Sequence, residues 1–385
     1  MSRPNAALIW TLVLVTAAIL LAVCGFRTRD PDSRAYIRIT ARLADEPASR
    51  WIAPQWWGAW GPGMQGLFRE HPIGTFVPPA LLARAGYPVA QAPFVVSLAA
   101  QIGCLLLIAA LAARLAPAAD ARALAWALQL LPIAFVFRVR ANQEYPLLFG
   151  VMLAVYGIER AREHGGWVAV AAIGFLYALV VKGVFALLAP LLAAMWLLTR
   201  RKAGSRIGAM PWIGVALLCA LAPIAAWGYE RAYVAVTGQS FLDYYLGARI
   251  SLDADMAGAG LPFPIDKLAN AGWYCGRLLW YAAPWSVVLA GWIWTMRLRE
   301  FRDRAALASF ALAGTLATIA AIAMRDTKAD RYIFPAYFLA GTGGVIAACA
   351  RWPRVAAIVD RLDRWWPWGP AALWLALAAS RIVMG

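Results

Sequence analysis

The residues that can do chemistry in this chain lie in short polar islands between long apolar runs. The first island is Arg29-Asp30-Pro31-Asp32-Ser33-Arg34-Ala35-Tyr36. A carboxylate at such a boundary, Asp32, can take a proton from an acceptor hydroxyl or orient it. The plainer alternative is capping: Pro31 suits a helix start and Asp32 its first turn. Tyr36, Ile37, Ile39, Thr40 and Leu43 then fit a short amphipathic helix lying on a membrane. The second island, Phe68-Arg69-Glu70-His71-Pro72, offers Glu70 as a divalent-cation ligand and His71 as a phosphate contact or proton donor. His71 and His164 are the only histidines, so a multi-histidine metal site is excluded and any metal rests on carboxylates.

Three further islands carry charge at the edges of apolar runs. Glu144 heads the stretch Tyr145-Pro146-Leu147, and an ionisable residue there is a functional candidate as well as a group favoured by the helix N-terminus. Lys182-Gly183 interrupts a long apolar run, where a lysine can snorkel or meet a lipid phosphate. Arg325-Asp326-Thr327-Lys328-Ala329-Asp330-Arg331-Tyr332 brings several cations into one loop. Such cations suit a phosphate leaving group, whose developing charge they stabilise; a salt-bridged loop is the bland alternative.

The elements that must position these residues follow from composition. Of 385 residues, 63% are hydrophobic and 15% charged, and the mean hydropathy is +0.63. Soluble domains run about 45–50% apolar and about 25% charged. A soluble enzyme, a disordered chain and a disulfide scaffold are therefore excluded. Runs of about 20 apolar residues, each able to cross a bilayer, recur throughout. They predict an all-α polytopic membrane protein in a single integral domain, 1–385. About eleven spans are expected, at 7–26, 94–113, 123–137, 145–159, 167–181, 184–199, 211–229, 272–296, 305–324, 332–350 and 368–384.

Charge sets the orientation. With the N-terminus in the cytoplasm, the inside loops carry Arg114 and Arg122, Arg160 and Arg162, Arg200 to Arg206, Arg297 to Arg304, and Arg351 to Arg364. That pattern is the positive-inside rule. The net charge of +16 is read the same way, and nucleic acid is not expected as a partner. Two long loops, 27–93 with interfacial helices and 230–271, then face outward. Most acids without a topological role fall on that side. Trp51, Trp56, Trp57 and Trp60 fit an interfacial aromatic belt or the edge of a lipid or sugar groove. Five scattered cysteines, with no CxxC, read as small buried hydrophobes. No internal repeat points to an inverted-repeat transporter.

Outward carboxylates facing outward cations at a membrane boundary suit group transfer from a lipid-linked phosphate. The islands, in order, resemble the motifs of the glycosyltransferase C superfamily, in its bacterial aminoarabinose transferase and protein O-mannosyltransferase-like branch. Asp32-Ser33-Arg34-Ala35-Tyr36 is similar to that family's Asp-acid-x-x-Tyr, with Ser33 for the second acid. Glu70-His71-Pro72 resembles its Glu-Lys-Pro, with His71 for the lysine. Glu144-Tyr145-Pro146-Leu147 resembles Asp-x-Pro-Leu, and Val180-Val181-Lys182-Gly183 resembles Leu-Thr-Lys-Gly. Pro284-Trp285 and Lys328-Ala329-Asp330-Arg331-Tyr332-Ile333-Phe334-Pro335 match later segments. The family's Glu-His pair in the long central outer loop has no histidine here; the nearest stretch runs from Asp243 to Arg249.

The resemblance implies a membrane glycosyltransferase that moves a sugar, with inversion, from a polyprenyl phosphate to a lipid, glycan or protein acceptor. The expected place is the outer face of a bacterial inner membrane. It implies Asp32 and Glu144 as catalytic residues. Lys182, Lys328, Arg331, Tyr332, His71 and Arg249 would hold the donor phosphate, and Glu70 a divalent metal ion. No soluble C-terminal domain is expected. The alternatives are a lipid or sugar-lipid transporter, a membrane scaffold, and an O-antigen-ligase-like transferase with a lipid-diphosphate donor.

Overall fold

The computed structural model describes residues 30–56, 66–138, 140–247, 264–294, 302–325 and 328–352, and a few positions just beyond. The expected spans at 7–26 and 368–384 lie outside the described residues. The described part is helical. Its elements are α1 (Pro31–Asp45), α2 (Val77–Arg84), α3 (Ala92–Ala112), α4 (Ala118–Gln129), α5 (Pro132–Arg138), α6 (Glu144–Arg160) and α7 (Trp167–Lys182). There follow α8 (Leu188–Lys202), α9 (Ala209–Thr237), α10 (Phe241–Leu246), α11 (Ile265–Tyr281), α12 (Trp285–Trp294), α13 (Arg302–Ala323) and α14 (Phe334–Arg351).

Five stretches are long and apolar enough to cross a membrane: Ala92–Ala112, Trp167–Lys202, Ala209–Thr237, Arg304–Ala323 and Asp330–Arg351. This makes the chain a multi-pass membrane protein, but it does not establish eleven spans. The expected span 123–137 is two short helices, α4 and α5, separated at Leu130–Leu131 ahead of Pro132. The expected span 272–296 is likewise broken at Ala282–Pro284 into α11 and α12, because proline cannot continue the helix before it. Conversely α9 continues to Thr237, beyond the expected end of that span, and closes on Gly238 in a left-handed conformation.

The 36-residue stretch Trp167–Lys202 is folded back on itself at Lys182-Gly183. Two contacts at opposite ends of α6 prove the turn. Lys182 meets Glu144 at one end, and Trp196 Nε1 donates to Glu159 Oε2 at the other, at 2.9 Å each. The 17 residues of α6 separate those ends by about 25 Å. So α7 rises and α8 descends beside α6. The α6–α7 contact is close because it is lined by glycine and alanine. A Cβ on Gly157 would lie 2.6 Å from Ala171 N, and one on Gly174 would lie 2.8 Å from Ala154 N.

The arginines expected inside gather at the Arg160 end. Glu159, buried, takes Arg162 at 2.8 Å and Arg200 at 3.5 Å. Arg114 pairs with Glu163 at 2.9 Å, and Asp120 with Arg304 at 2.6 Å. The opposite end, around Glu144, gathers the islands read above as outward-facing. α14 is buried along nearly its whole length, and Tyr145, Phe334 and Phe338 pack edge to face there.

Candidate active site

α1 brings Asp32 to the site. Its N-cap is Asp30, not Asp32: Asp30 Oδ2 accepts from Ser33 N at 2.9 Å and from Ser33 Oγ at 2.6 Å. Capping thus leaves the Asp32 carboxylate for other work. Ser33 Oγ also accepts the Ala141 N–H at 3.0 Å, which ties α1 to the segment before Glu144. Ser33, where the related motifs carry an acid, is therefore a buried joint. The apolar face of α1 (Ala35, Tyr36, Ile39, Leu43) packs with Phe68, Ile73, Phe76, Ala80 and Phe94.

Asp32 is ion-paired with Arg331, 299 positions away in sequence. Arg331 lies on the turn Asp330–Ile333 that leads into α14. Glu144, in the first turn of α6, is 2% exposed, and Lys182, closing α7, is 4% exposed; Lys182 Nζ lies 2.9 Å from Glu144 Oε1. The ammonium also stands 5.1 Å from the Phe185 ring and 5.9 Å from the Tyr332 ring, within cation–π range.

Glu70, His71, Gln143, Lys182, Phe185, Tyr245, Arg325, Arg331 and Tyr332 line one recess. Of the residues expected from sequence, the fold thus brings together Lys182, Arg331, Tyr332, His71 and Glu70 in the recess, with Asp32 and Glu144 paired to its cations. Lys328 is exposed and does not line it; Arg325 does, with its guanidinium 4.7 Å from the Tyr332 ring. Arg249 lies outside the described residues.

His71 is buried. It is stacked on Phe76 at 5.5 Å, with Phe68 edge-on at 4.9 Å. Its Nδ1 is 2.9 Å from the Pro72 carbonyl, which fixes the proton on Nδ1. Burial, reinforced by the charges of Lys182 and Arg331, lowers its pKa to about 4 against the pull of that hydrogen bond. The ring is therefore neutral at pH 7, and it contributes no positive charge toward a phosphate. Tyr36, also buried, is held protonated well above its ordinary range, by burial first and by the Glu144 charge next.

Among the described residues, no three His, Cys, Asp or Glu side chains come together as metal ligands. Glu144 is committed to Lys182 and Asp32 to Arg331, so Glu70 has no second carboxylate beside it in the lining of the recess.

Sequence reasoning missed Tyr245, on α10. Its hydroxyl donates to the Lys182 carbonyl and accepts from Val184 N–H, both at 3.3 Å. Gly183 makes this possible. Its φ of +59° is closed to most side chains, and a Cβ there would sit 2.4 Å from the Tyr245 hydroxyl oxygen. α10 is in turn seated by Glu230, whose Oε2 accepts the N–H groups of Phe241 and Leu242 at 3.0 and 2.9 Å. Arg69, next to Glu70, bonds Gln239 and stands 5.4 Å from the Tyr244 ring.

No protein-family profile matches the sequence, and no curated protein matches it. Solved structures do match. ArnT from Cupriavidus metallidurans in the apo state superposes with a TM-score of 0.64 at 15% identity, over 91% of this chain and 62% of that one. The same protein bound to undecaprenyl phosphate gives 0.68 at 13% identity, over 100% of this chain and 73% of that one. An Archaeoglobus fulgidus oligosaccharyltransferase gives 0.50 at 11% identity, over 96% and 56%. The chain thus spans less than two thirds of the length of the apo ArnT structure it matches. The path of the helices agrees across nearly the whole chain: the fold is that of these ArnT and oligosaccharyltransferase structures.

Proposed function

We propose that this protein is a membrane glycosyltransferase that takes a sugar from a polyprenyl-phosphate donor at the outer face of a bacterial inner membrane. The observation that carries this reading is the recess itself. Lys182, Arg325 and Arg331 converge there on aromatic walls, at the end of the bundle opposite its arginine-rich end, with a carboxylate, Asp32, against Arg331. A phosphate needs such cations, and an isoprenoid tail needs apolar helices beside them. The ArnT structure bound to undecaprenyl phosphate lends support as a similar fold with that class of lipid.

In this reading the donor phosphate docks against Lys182, Arg331 and Arg325, with Tyr332 beside it. An acceptor hydroxyl oxygen attacks the anomeric carbon from the face opposite the phosphate. The bond from that carbon to the phosphate oxygen breaks, and its electron pair leaves on the phosphate, where the cations stabilise it. The acceptor proton passes to Asp32. Arg331 serves both ends of the reaction, pairing with Asp32 on one side and facing the phosphate on the other. Glu144 holds Lys182 from behind and is not the base.

The test is turnover of purified protein with radiolabelled polyprenyl-phosphate sugars and a membrane-lipid extract as acceptor. Release of polyprenyl phosphate by wild type and its loss in Asp32→Asn is the expected result. No release from any donor by folded wild type overturns the reading.

A further inference from the structure

One polar group in the recess has no part in that chemistry. Gln143 is 8% exposed and lines the recess with His71 and Lys182. Its backbone is fixed, because its N–H donates to Glu144 Oε2 at 3.1 Å and it stands at the start of α6. Its side-chain carbonyl oxygen is buried and has no hydrogen-bond partner. A buried carbonyl left unpaired is unfavourable, and native proteins keep few such groups. Asn142, one residue earlier, donates to two backbone carbonyls and accepts from Tyr145 N.

The chemistry of the missing partner follows from that of its surroundings. Three cations line this recess, and in the reading above they take the phosphate. An ionised phosphate has no proton to give the amide oxygen. A hydroxyl does, and an amide can both accept from and donate to a hydroxyl, whichever way it is turned. In a sugar phosphate, hydroxyls lie next to the phosphate. We propose that Gln143 binds a hydroxyl of the phosphate-linked sugar. It thereby distinguishes the sugar-loaded lipid from the discharged lipid phosphate that remains after transfer. This rests on the polyprenyl-phosphate reading above and adds a sugar contact to it.

The experiment compares binding of three probes to wild type and Gln143→Leu in detergent. The probes are undecaprenol, undecaprenyl phosphate, and undecaprenyl phosphate carrying glucose, mannose or arabinose. Wild type should bind at least one loaded lipid more tightly than bare undecaprenyl phosphate. Gln143→Leu should weaken binding of that lipid about tenfold, the effect of one well-made hydrogen bond. Binding of bare undecaprenyl phosphate should not change. The melting temperature without ligand should hold or rise, because the substitution removes an unpaired buried carbonyl. Should the leucine variant fold poorly, Gln143→Met keeps the length of the side chain and loses only the amide. Equal losses for loaded and bare lipid, or no preference of wild type for any loaded lipid, overturn the inference. Failure of wild type to prefer undecaprenyl phosphate over undecaprenol is a different result, which overturns the function proposed above.

Discussion

Lys182 Nζ lies 2.9 Å from Glu144 Oε1, with both side chains buried, so that one ion pair joins the last turn of α7 to the first turn of α6. Burying two charges is favourable only while they stay together. Removing one partner strands the other, at a cost of about 3–5 kcal/mol. Lys182→Met and Glu144→Gln should each lower the melting temperature. Lys182→Met/Glu144→Leu should recover much of that loss, because no charge remains stranded. Turnover should not recover in the double variant, since the phosphate loses its ammonium. Thermal melts beside turnover assays separate the two effects, and recovered activity in the double variant would remove Lys182 from the site.

Asp32 and Arg331 form the second pair, and they should fail differently. Asp32 is about one-third exposed, so its loss should leave folding nearly intact. Asp32→Asn should lower turnover by about 10²–10⁴-fold, the usual share of a general base, with donor affinity little changed. Arg331→Gln should weaken donor binding as well as turnover. Donor affinity and single-turnover rate, measured on both variants, make the distinction. Loss of binding in Asp32→Asn with normal chemistry would reassign Asp32 to a structural role.

The two ends of the bundle were legible because charge is topologically sorted. The arginines assigned inside from alternation do meet, through Glu159, Glu163 and Asp120. Lys182 and Arg331 were legible as cations placed where topology does not require them. What was not legible depends on pairing across long sequence separations. Nothing local says that Asp32 meets Arg331 or that Lys328 points away while Arg325 turns in. Tyr245 was hidden because a lone tyrosine between apolar runs is unremarked. The signal was Gly183, whose missing side chain leaves room for a hydroxyl. The breaks at Pro132 and Pro284 were not legible in hydropathy, which averages over a break that the backbone cannot.

Tyr245 holds Lys182 by its backbone, while Glu144 holds it by its ammonium. Tyr245→Phe keeps the ring stacked on Phe241, at 5.3 Å, and removes only the hydroxyl. Donor affinity should fall by about threefold to tenfold, the worth of a net hydrogen bond. Combined with Lys182→Met, the same change should add almost nothing, because its target is gone. Additive losses in that cycle would show that Tyr245 acts on the ligand directly. Gly183→Ala should be the more damaging change, since it meets both a forbidden φ and the hydroxyl.

His71 gives the fold a pH dependence with a definite sign. Its pKa is about 4 in the folded chain, against about 6.5 when unfolded. Between those values the unfolded chain binds the extra proton, so stability rises with pH there. The contribution is complete above the unfolded value. It is lost as the pH falls through the window, and it levels off below the folded value. The loss from this one ring is about 3 kcal/mol. Melting temperatures of wild type and His71→Gln, taken from pH 7.5 down to pH 4, should diverge at neutral pH and converge toward the acid end. Parallel curves would mean that the imidazole is already solvated and titrates freely, which its seat against Phe76 and Phe68 argues against.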